Sequence, residues 1–352
     1  MKVLVTGGTG FLGRSLVVRL LQEGHHVHGL ARSPALEAAL RSMNVEPLRG
    51  DLDAPRTLKF SGIDAVVHAA AHFRLAGPRR PFFRTNVRGT KALLAAANKA
   101  GVRHFIGIGA AAVVMDNRGS ALDNVDESAP TFPRSFSAYI SSKAQAEKLI
   151  LDAHAPGFRT LVLRPPGIWG PGDAFARALT SGGSFAFISR GAYPYVTCHV
   201  DNVAEAAACA LNASAGGRAY FINDSEPITF RAFAMSIANA MGVDLSRAPS
   251  VPYGVAWYSG RALEFLWSIA GAREDPPLSR TLVRLIGRPS LTNDSAARRD
   301  LGYRGMVTRA EGLASYLVKK NGVVHPFRTR PSVYRTRVGA SSIPSTPNEM
   351  RR

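Results

Sequence analysis

The chain has 352 residues, enough to bury a substantial core in one large domain or two smaller ones, and its composition is that of an ordinary soluble globular protein. No apolar run is long enough to span a bilayer, and the two cysteines, Cys198 and Cys209, are too few for a disulfide framework, so a reducing, cytoplasmic setting is expected. A net charge of +19 favours anionic ligands, acidic lipid surfaces or non-specific nucleic acid. No nucleic-acid module is recognisable, so a solvated basic surface is the simplest reading and membrane-surface attraction the weaker one.

Val3 to Val5 reads as a buried parallel strand at the very start, and with a core strand there no cleaved signal peptide is expected. The strand breaks into Thr6-Gly7-Gly8-Thr9-Gly10-Phe11-Leu12-Gly13, and helical periodicity resumes from Phe11 to Leu21. Strand, glycine turn and helix start form a seat for a pyrophosphate, because the helix N-terminus offers unpaired amides and a positive dipole end. Two spacings overlap, Gly8/Gly10/Gly13 and Gly7/Gly10/Gly13, and spacing alone does not choose between them.

His26 to Ala31 reads as a second strand, ending in Ala31-Arg32-Ser33 with no carboxylate to hold a ribose 2′-hydroxyl. Arg32 suits a 2′-phosphate, which points to NADP as the preferred cofactor with NAD the alternative. His25, His26 and His28 lack carboxylate or cysteine support, and no metal site is expected. Val45 to Leu48 reads as strand three, leading to Gly50-Asp51-Leu52. Asp64 to Ala71 reads as strand four, running into small residues that can pass beside a flat ligand. A helix is expected to open at Asn86, and strand five spans His104 to Gly109, followed by Ala110-Ala111-Ala112. Strands alternating with helices predict an α/β fold, a doubly wound parallel sheet of Rossmann type with ligands outside the carboxyl ends of its strands.

Tyr139 and Lys143 lie four apart in a helix continuing to about Leu151, so they share a face. A cation near a phenol favours the phenolate, which suits a tyrosine acid/base working near neutrality. Past Arg164 the chain becomes a smaller, mostly helical lobe. Its segment 173–188 is rich in Phe175, Phe185 and Phe187, and residues 229–270 carry Trp257, Tyr258, Phe265 and Trp267. Aromatics at helical spacing are read first as core and second as the wall of an apolar pocket. Arg261 and Glu264 interrupt the run, which leaves an interfacial helix open but not a bilayer span. Cys198 beside His199 is read as a buried thiol, since neighbours on a strand face opposite ways. From Pro326 on, Pro, Ser, Arg and Thr dominate without periodicity, so a disordered basic tail is expected.

Thr6 to Gly13, Gly50-Asp51-Leu52, Tyr139-x-x-x-Lys143 and Leu163-Arg164-Pro165-Pro166-Gly167-Ile168-Trp169-Gly170-Pro171-Gly172 occur in order. Together they resemble the extended short-chain dehydrogenase/reductase superfamily. His199-Val200-Asp201-Asn202 and Ala296-Ala297-Arg298-Arg299-Asp300-Leu301-Gly302-Tyr303 look like its 3β-hydroxysteroid or sterol dehydrogenase branch. The resemblance covers roughly residues 1–325. It implies a cofactor-binding core over 1–164, a substrate lobe over 165–325 with returning core segments near 195–224, and a tail over 326–352.

Residue by residue, the resemblance places Gly7, Gly10, Phe11, Leu12 and Gly13 around the pyrophosphate and Asp51 and Leu52 at the adenine. Ala69, Ala70 and Ala71 would lie near the adenosine ribose, and Pro165, Pro166, Gly167 and Ile168 along the nicotinamide. Tyr139 would be the catalytic acid/base, Lys143 would hold the nicotinamide ribose, and Asn86 would tie the central helix to the site. The implied activity is hydride transfer between NADP(H) and a secondary alcohol or ketone on an apolar, sterol-like small molecule, in an enzyme that could pair as a homodimer. One departure stands out: the family's Ser or Thr after strand five is replaced by Gly109 and Ala110. That gap motivates one rival, a cofactor-binding sensor without turnover; a sugar-nucleotide epimerase or dehydratase, which uses the same core and whose pyrophosphate the positive charge would suit, is the other.

Overall fold

The computed structural model describes residues 1–181, 185–272 and 274–320. The basic tail, 326–352, lies outside the described residues. Strands β1 (Lys2–Thr6), β2 (His26–Ala31), β3 (Glu46–Arg49), β4 (Ala65–His68) and β5 (His104–Ile108) join Arg159–Arg164 and Arg218–Phe221 in one parallel sheet. Its order is Arg218–Phe221, Arg159–Arg164, β5, β4, β1, β2, β3. The order reverses between β1 and β4, and the crevice beyond that switch point is where such sheets bind ligands.

Alternation along β1 builds two cores. Val3 and Val5 pack with Leu16, Val17 and Leu20 of α1 (Phe11–Gln22), on the face shared with α2 (Pro34–Arg41). Leu4 turns the other way, to Leu93, Phe105 and Ile150. That second face is covered by α3 (Arg79–Phe82), α4 (Thr90–Lys99) and α5 (Ala138–Asp152). The second lobe holds α6 (Ala174–Thr180), while α7 (Val200–Asn212) returns to pack on α1. Beyond it come α8 (Phe230–Met241), α9 (Tyr253–Ile269), α10 (Arg280–Ile286), α11 (Ser295–Leu301) and α12 (Arg309–Lys320).

Several boundaries differ from the sequence reading. β3 is shifted by one residue, β4 stops at His68 so that Ala69 to Ala71 leave the sheet, and β5 stops at Ile108. The helix expected to open at Asn86 begins at Arg79, directly after Pro78. It passes through a π-helical segment, Phe83–Gly89, before α4, so Asn86 lies inside it. Such wide turns are frequent at functional sites.

Of the aromatics in the second lobe, Phe175, Phe185 and Phe187 pack with Phe230 as expected of core. Tyr258 and Phe265 do not: they are 69% and 65% exposed. The buried stripe of α9 is formed instead by Ala256 and Gly260. A Cβ on Gly260 would stand 3.1 Å from the backbone of Ser279 and Arg280, so a larger residue there would press α9 away from the start of α10 by a few tenths of an ångström.

Candidate active site

The glycine turn is built so that backbone, not side chain, faces the helix start. Gly7 has φ +74°, and its carbonyl accepts the Gly10 amide at 2.9 Å. A Cβ on Gly13 would lie 1.9 Å from the Gly7 oxygen, and one on Gly7 2.9 Å from the Ala70 nitrogen. Gly8 has ordinary φ and meets only side chains. The positions at which a side chain would meet backbone are therefore Gly7, Gly10 and Gly13. No side chain caps the N-terminus of α1, where Gly10, Phe11 and Leu12 lie. That leaves a bare cradle fitted to a pyrophosphate.

The other predicted cofactor residues line the same sheet edge. Arg32 is exposed directly after β2, Asp51 and the buried Leu52 follow β3, and Ala69 to Ala71 follow β4. Pro165 to Ile168 follow the strand Arg159–Arg164, and the Pro165 carbonyl accepts the Ala111 amide at 2.9 Å. Gly167 and Ile168 pair in register with Thr197 and Cys198.

A buried hydrogen-bonded chain, not anticipated from the sequence, organises the centre. The Thr90 hydroxyl donates to the Asn86 carbonyl at 2.6 Å, so His68 Nε2 must donate to Thr90 Oγ1 at 2.9 Å. Its Nδ1 then accepts from the Thr6 hydroxyl at 2.7 Å, while Thr6 Oγ1 accepts the Ala70 amide at 3.1 Å. Burial lowers the His68 pKa to about 3, with a further push from the Lys143 charge, and the ring stays neutral. Asn86 is fully engaged: its amide donates to the His72 carbonyl and to Ser142 Oγ, each at 3.0 Å, and its oxygen accepts the His72 amide at 2.7 Å. It thus joins the loop after β4 to α5. The only sequence hint was a histidine ending an otherwise apolar strand; its partners lie 62 and 22 residues away.

Lys143 and Tyr139 are one turn apart on α5. Lys143 Nζ donates to the Ile108 carbonyl at 2.5 Å, in a recess it shares with His68, Asn86, Gly109 and Glu147. Burial pulls its pKa down to about 8, partly offset by the Glu147 carboxylate. Glu147 is itself clamped by Arg164, at 2.6 and 2.9 Å, with both side chains buried. Tyr139 differs from expectation: burial raises its phenol to about 12, while the ammonium is turned to Ile108. At neutral pH the phenol therefore holds its proton. Its ring meets Phe73 edge-on at 5.0 Å and packs against the apolar cluster of Ala110 to Val114.

The phenol side of α5 opens on a cavity of about 620 Å³. Tyr139, Phe136, Phe265 and Trp267 form its apolar wall, and Arg74, Arg79, Arg261 and Arg280 are interspersed. Its loops are braced by Asp275, which accepts the Leu75 and Ala76 amides and pairs with Arg74 at 3.1 Å. Gly109 and Ala110, just past the end of β5, are not equivalent positions. A Cβ on Gly109 would stand 2.6 Å from Val162 Cγ1, whereas Ala110 already carries one at the start of the turn after β5. Below, Asp224 accepts from Trp169 Nε1, Thr197 Oγ1, the His199 amide and Asn202 Nδ2 at 2.7–2.8 Å. This fixes the return of His199 to Asn202 into the core. The Cys198 thiol is buried and free, and burial raises its pKa far from any nucleophilic range.

A phosphate cradle leading to a tyrosine–lysine helix is the architecture of extended short-chain enzymes, and this chain is an NAD(P)-dependent dehydrogenase/reductase built on it. It belongs to the 3-beta hydroxysteroid dehydrogenase/isomerase family, which matches residues 4–253. The chain is 37% identical to the 4-hydroxy-2-methyl-3-oxo-4-farnesyl-3,4-dihydroquinoline-1-oxide ketoreductase of Stigmatella aurantiaca, over 89% of this chain and 95% of that one. It is 32% identical to the 2-alkyl-3-oxoalkanoate reductase of Stenotrophomonas maltophilia, over 89% and 97% respectively. Among solved structures, a dTDP-glucose 4,6-dehydratase of Streptomyces venezuelae with NAD bound superposes with a TM-score of 0.71 at 25% identity, covering 91% of this chain and 98% of that one.

Proposed function

We propose that the protein reduces a ketone on an apolar small molecule to the secondary alcohol, using NADPH. The observation that carries this reading is the protonated Tyr139 phenol on the wall of a cavity that also holds Phe136, Phe265 and Trp267, one helical turn from the buried Lys143. Both relatives are named as reductases of 3-oxo compounds, one bearing a farnesyl and the other an alkyl group, which favours the reducing direction and a lipophilic substrate.

In this reading Gly7, Gly10 and Gly13 with the first amides of α1 hold the pyrophosphate, and Arg32 the 2′-phosphate. Pro165 to Ile168 line the nicotinamide. Bound there, the cofactor supplies the hydride. Tyr139 donates its phenolic proton to the oxygen that becomes the alcohol, and Lys143 supplies the positive charge that stabilises the phenolate left behind. Asn86, tied to His72 and Ser142, keeps α5 in register with the loop after β4. The test is to titrate purified protein with NADPH and NADH. It is then assayed on 2-alkyl-3-oxoalkanoates, quinoline N-oxides, ketosteroids and nucleotide sugars. Reduction of a lipophilic ketone supports the reading, and turnover of nucleotide sugars alone would replace it.

Two predictions follow from the departures noted above. Arg32→Ala is expected to weaken NADPH binding about 10–100-fold, the worth of a charge-assisted contact, and to leave NADH binding unchanged. Unchanged NADPH affinity would remove Arg32 from the site. Ala110→Ser places a hydroxyl on the one of the two positions that already carries a Cβ, and is expected to raise kcat by up to about 10²-fold. No gain in a correctly folded variant would show that another donor already serves the oxygen. A wild type that binds NADPH yet turns over nothing, in either form, would favour the sensor reading.

A further inference from the structure

One spot on the cavity wall is polar without being charged. Of the polar residues lining the cavity, only Ser137 and Thr281 are buried, at 4% and 3% exposed. They come from the two lobes: Ser137 caps the start of α5, and Thr281 is the second residue of α10. Their side-chain oxygens stand 3.0 Å apart although the residues are 144 positions apart in sequence.

A hydroxyl has one proton to give and two lone pairs with which to receive. Ser137 Oγ receives the Ile140 amide at 3.4 Å and the Thr281 hydroxyl at 3.0 Å. Both lone pairs are then taken, and the Ser137 O–H has no acceptor among the described residues. Running the bond the other way only moves the spare proton to Thr281. A buried donor without a partner is costly and rare in a folded protein, and this one stands on the wall of a cavity.

The charged groups nearby are engaged elsewhere. Glu264 is held by Arg280 at 2.7–2.8 Å, Asp275 by Arg74 at 3.1 Å, and Arg79 donates to the Ser135 carbonyl and Ser141 Oγ. Residues two apart at a helix start do not face one another, so Ser137 and Tyr139 address different atoms of one ligand. We propose that the Ser137–Thr281 pair anchors a second oxygen of the substrate, a carbonyl or ether acceptor apart from the ketone that Tyr139 serves, and so selects ketones that carry such an acceptor. This rests on the reading of the cavity as the substrate site of a ketone reductase. With one hydroxyl from each lobe, the anchor fixes the ligand between α10 and the start of the helix that carries Tyr139.

The experiment measures, by calorimetry, how two neutral alcohols bind the NADPH-saturated protein: methyl 3-hydroxydecanoate, which has the extra carbonyl, and 3-dodecanol, which has not. Neither ligand is charged, so the arginines do not separate them. In Ser137→Ala/Thr281→Val the hydroxy ester is expected to lose at least about tenfold more affinity than the dodecanol, the worth of one hydrogen bond. NADPH affinity serves as the check of folding. Thr281→Val alone keeps the cap on α5, and is the second variant should the first fold poorly. It is expected to show at least about a threefold differential loss, because Ser137 is no longer held. Equal weakening of both ligands would show that the pair only ties α5 to α10, and overturns the proposal. So does a folded double variant with wild-type affinity for both, or a wild type that binds neither. A differential loss in a protein that reduces no ketone would keep the anchor and remove the reductase reading, so the two failures are told apart.

Discussion

Tyr139→Phe is expected to lower kcat by at least about 10²-fold, the range of a positioned general acid, while NADPH affinity changes by no more than about twofold. The substitution keeps the ring that packs edge-on against Phe73 and removes only the oxygen, so the fold is undisturbed. Lys143 contributes a second, independent signature. In the cofactor-free protein its ammonium has a pKa of about 8, and the charged form predominates below that value. Since kcat/KM reports ionisations of the free enzyme, it is expected to fall as pH rises through about 8. Turnover that survives Tyr139→Phe unchanged would show that the proton comes from another group.

The largest stability effect is expected at Arg164. Arg164→Leu would strand the Glu147 carboxylate in a buried site where its two charge-assisted hydrogen bonds are lost. Breaking a buried ion pair from one side costs about 3–5 kcal/mol, because the remaining charge stays desolvated. Denaturant unfolding of Arg164→Leu should show that loss, and Arg164→Leu/Glu147→Leu should recover most of it by removing both charges. Equal stability for Arg164→Leu and wild type would mean that solvent reaches Glu147. The pair matters beyond stability, since it holds α5 to the strand Arg159–Arg164 directly beneath Lys143.

Much of this architecture was legible because it is written locally. The β-branched run before Gly7, the glycine spacing and the alternation of strands with helices are short-range patterns. Steric limits on φ and on backbone approach then determine what they do, as the 1.9 Å clearance at Gly13 shows. The choice between Gly7 and Gly8 was not local: it depends on how close Gly13 and Ala70 come in the folded chain. The His68 chain, the Asp275 brace and the four donors on Asp224 were illegible for the same reason, since each joins segments far apart in sequence. α9 failed differently. Its aromatics have the periodicity of core, but the helix packs through Ala256 and Gly260, and small residues carry no hydrophobic signal. Periodicity shows that a helix has two faces without showing which one the protein buries.

In the proposed reaction, hydride and proton reach one carbonyl from the two sides of this site. The most direct measurement is the fate of deuterium from NADPH deuterated at both C4 positions during reduction of a lipophilic 3-oxo substrate. The account predicts one deuterium on the carbinol carbon of the product, none on its oxygen, and loss of the transfer in Tyr139→Phe. A product whose carbinol hydrogen comes from solvent, or transfer that persists undiminished without the phenol, would contradict it.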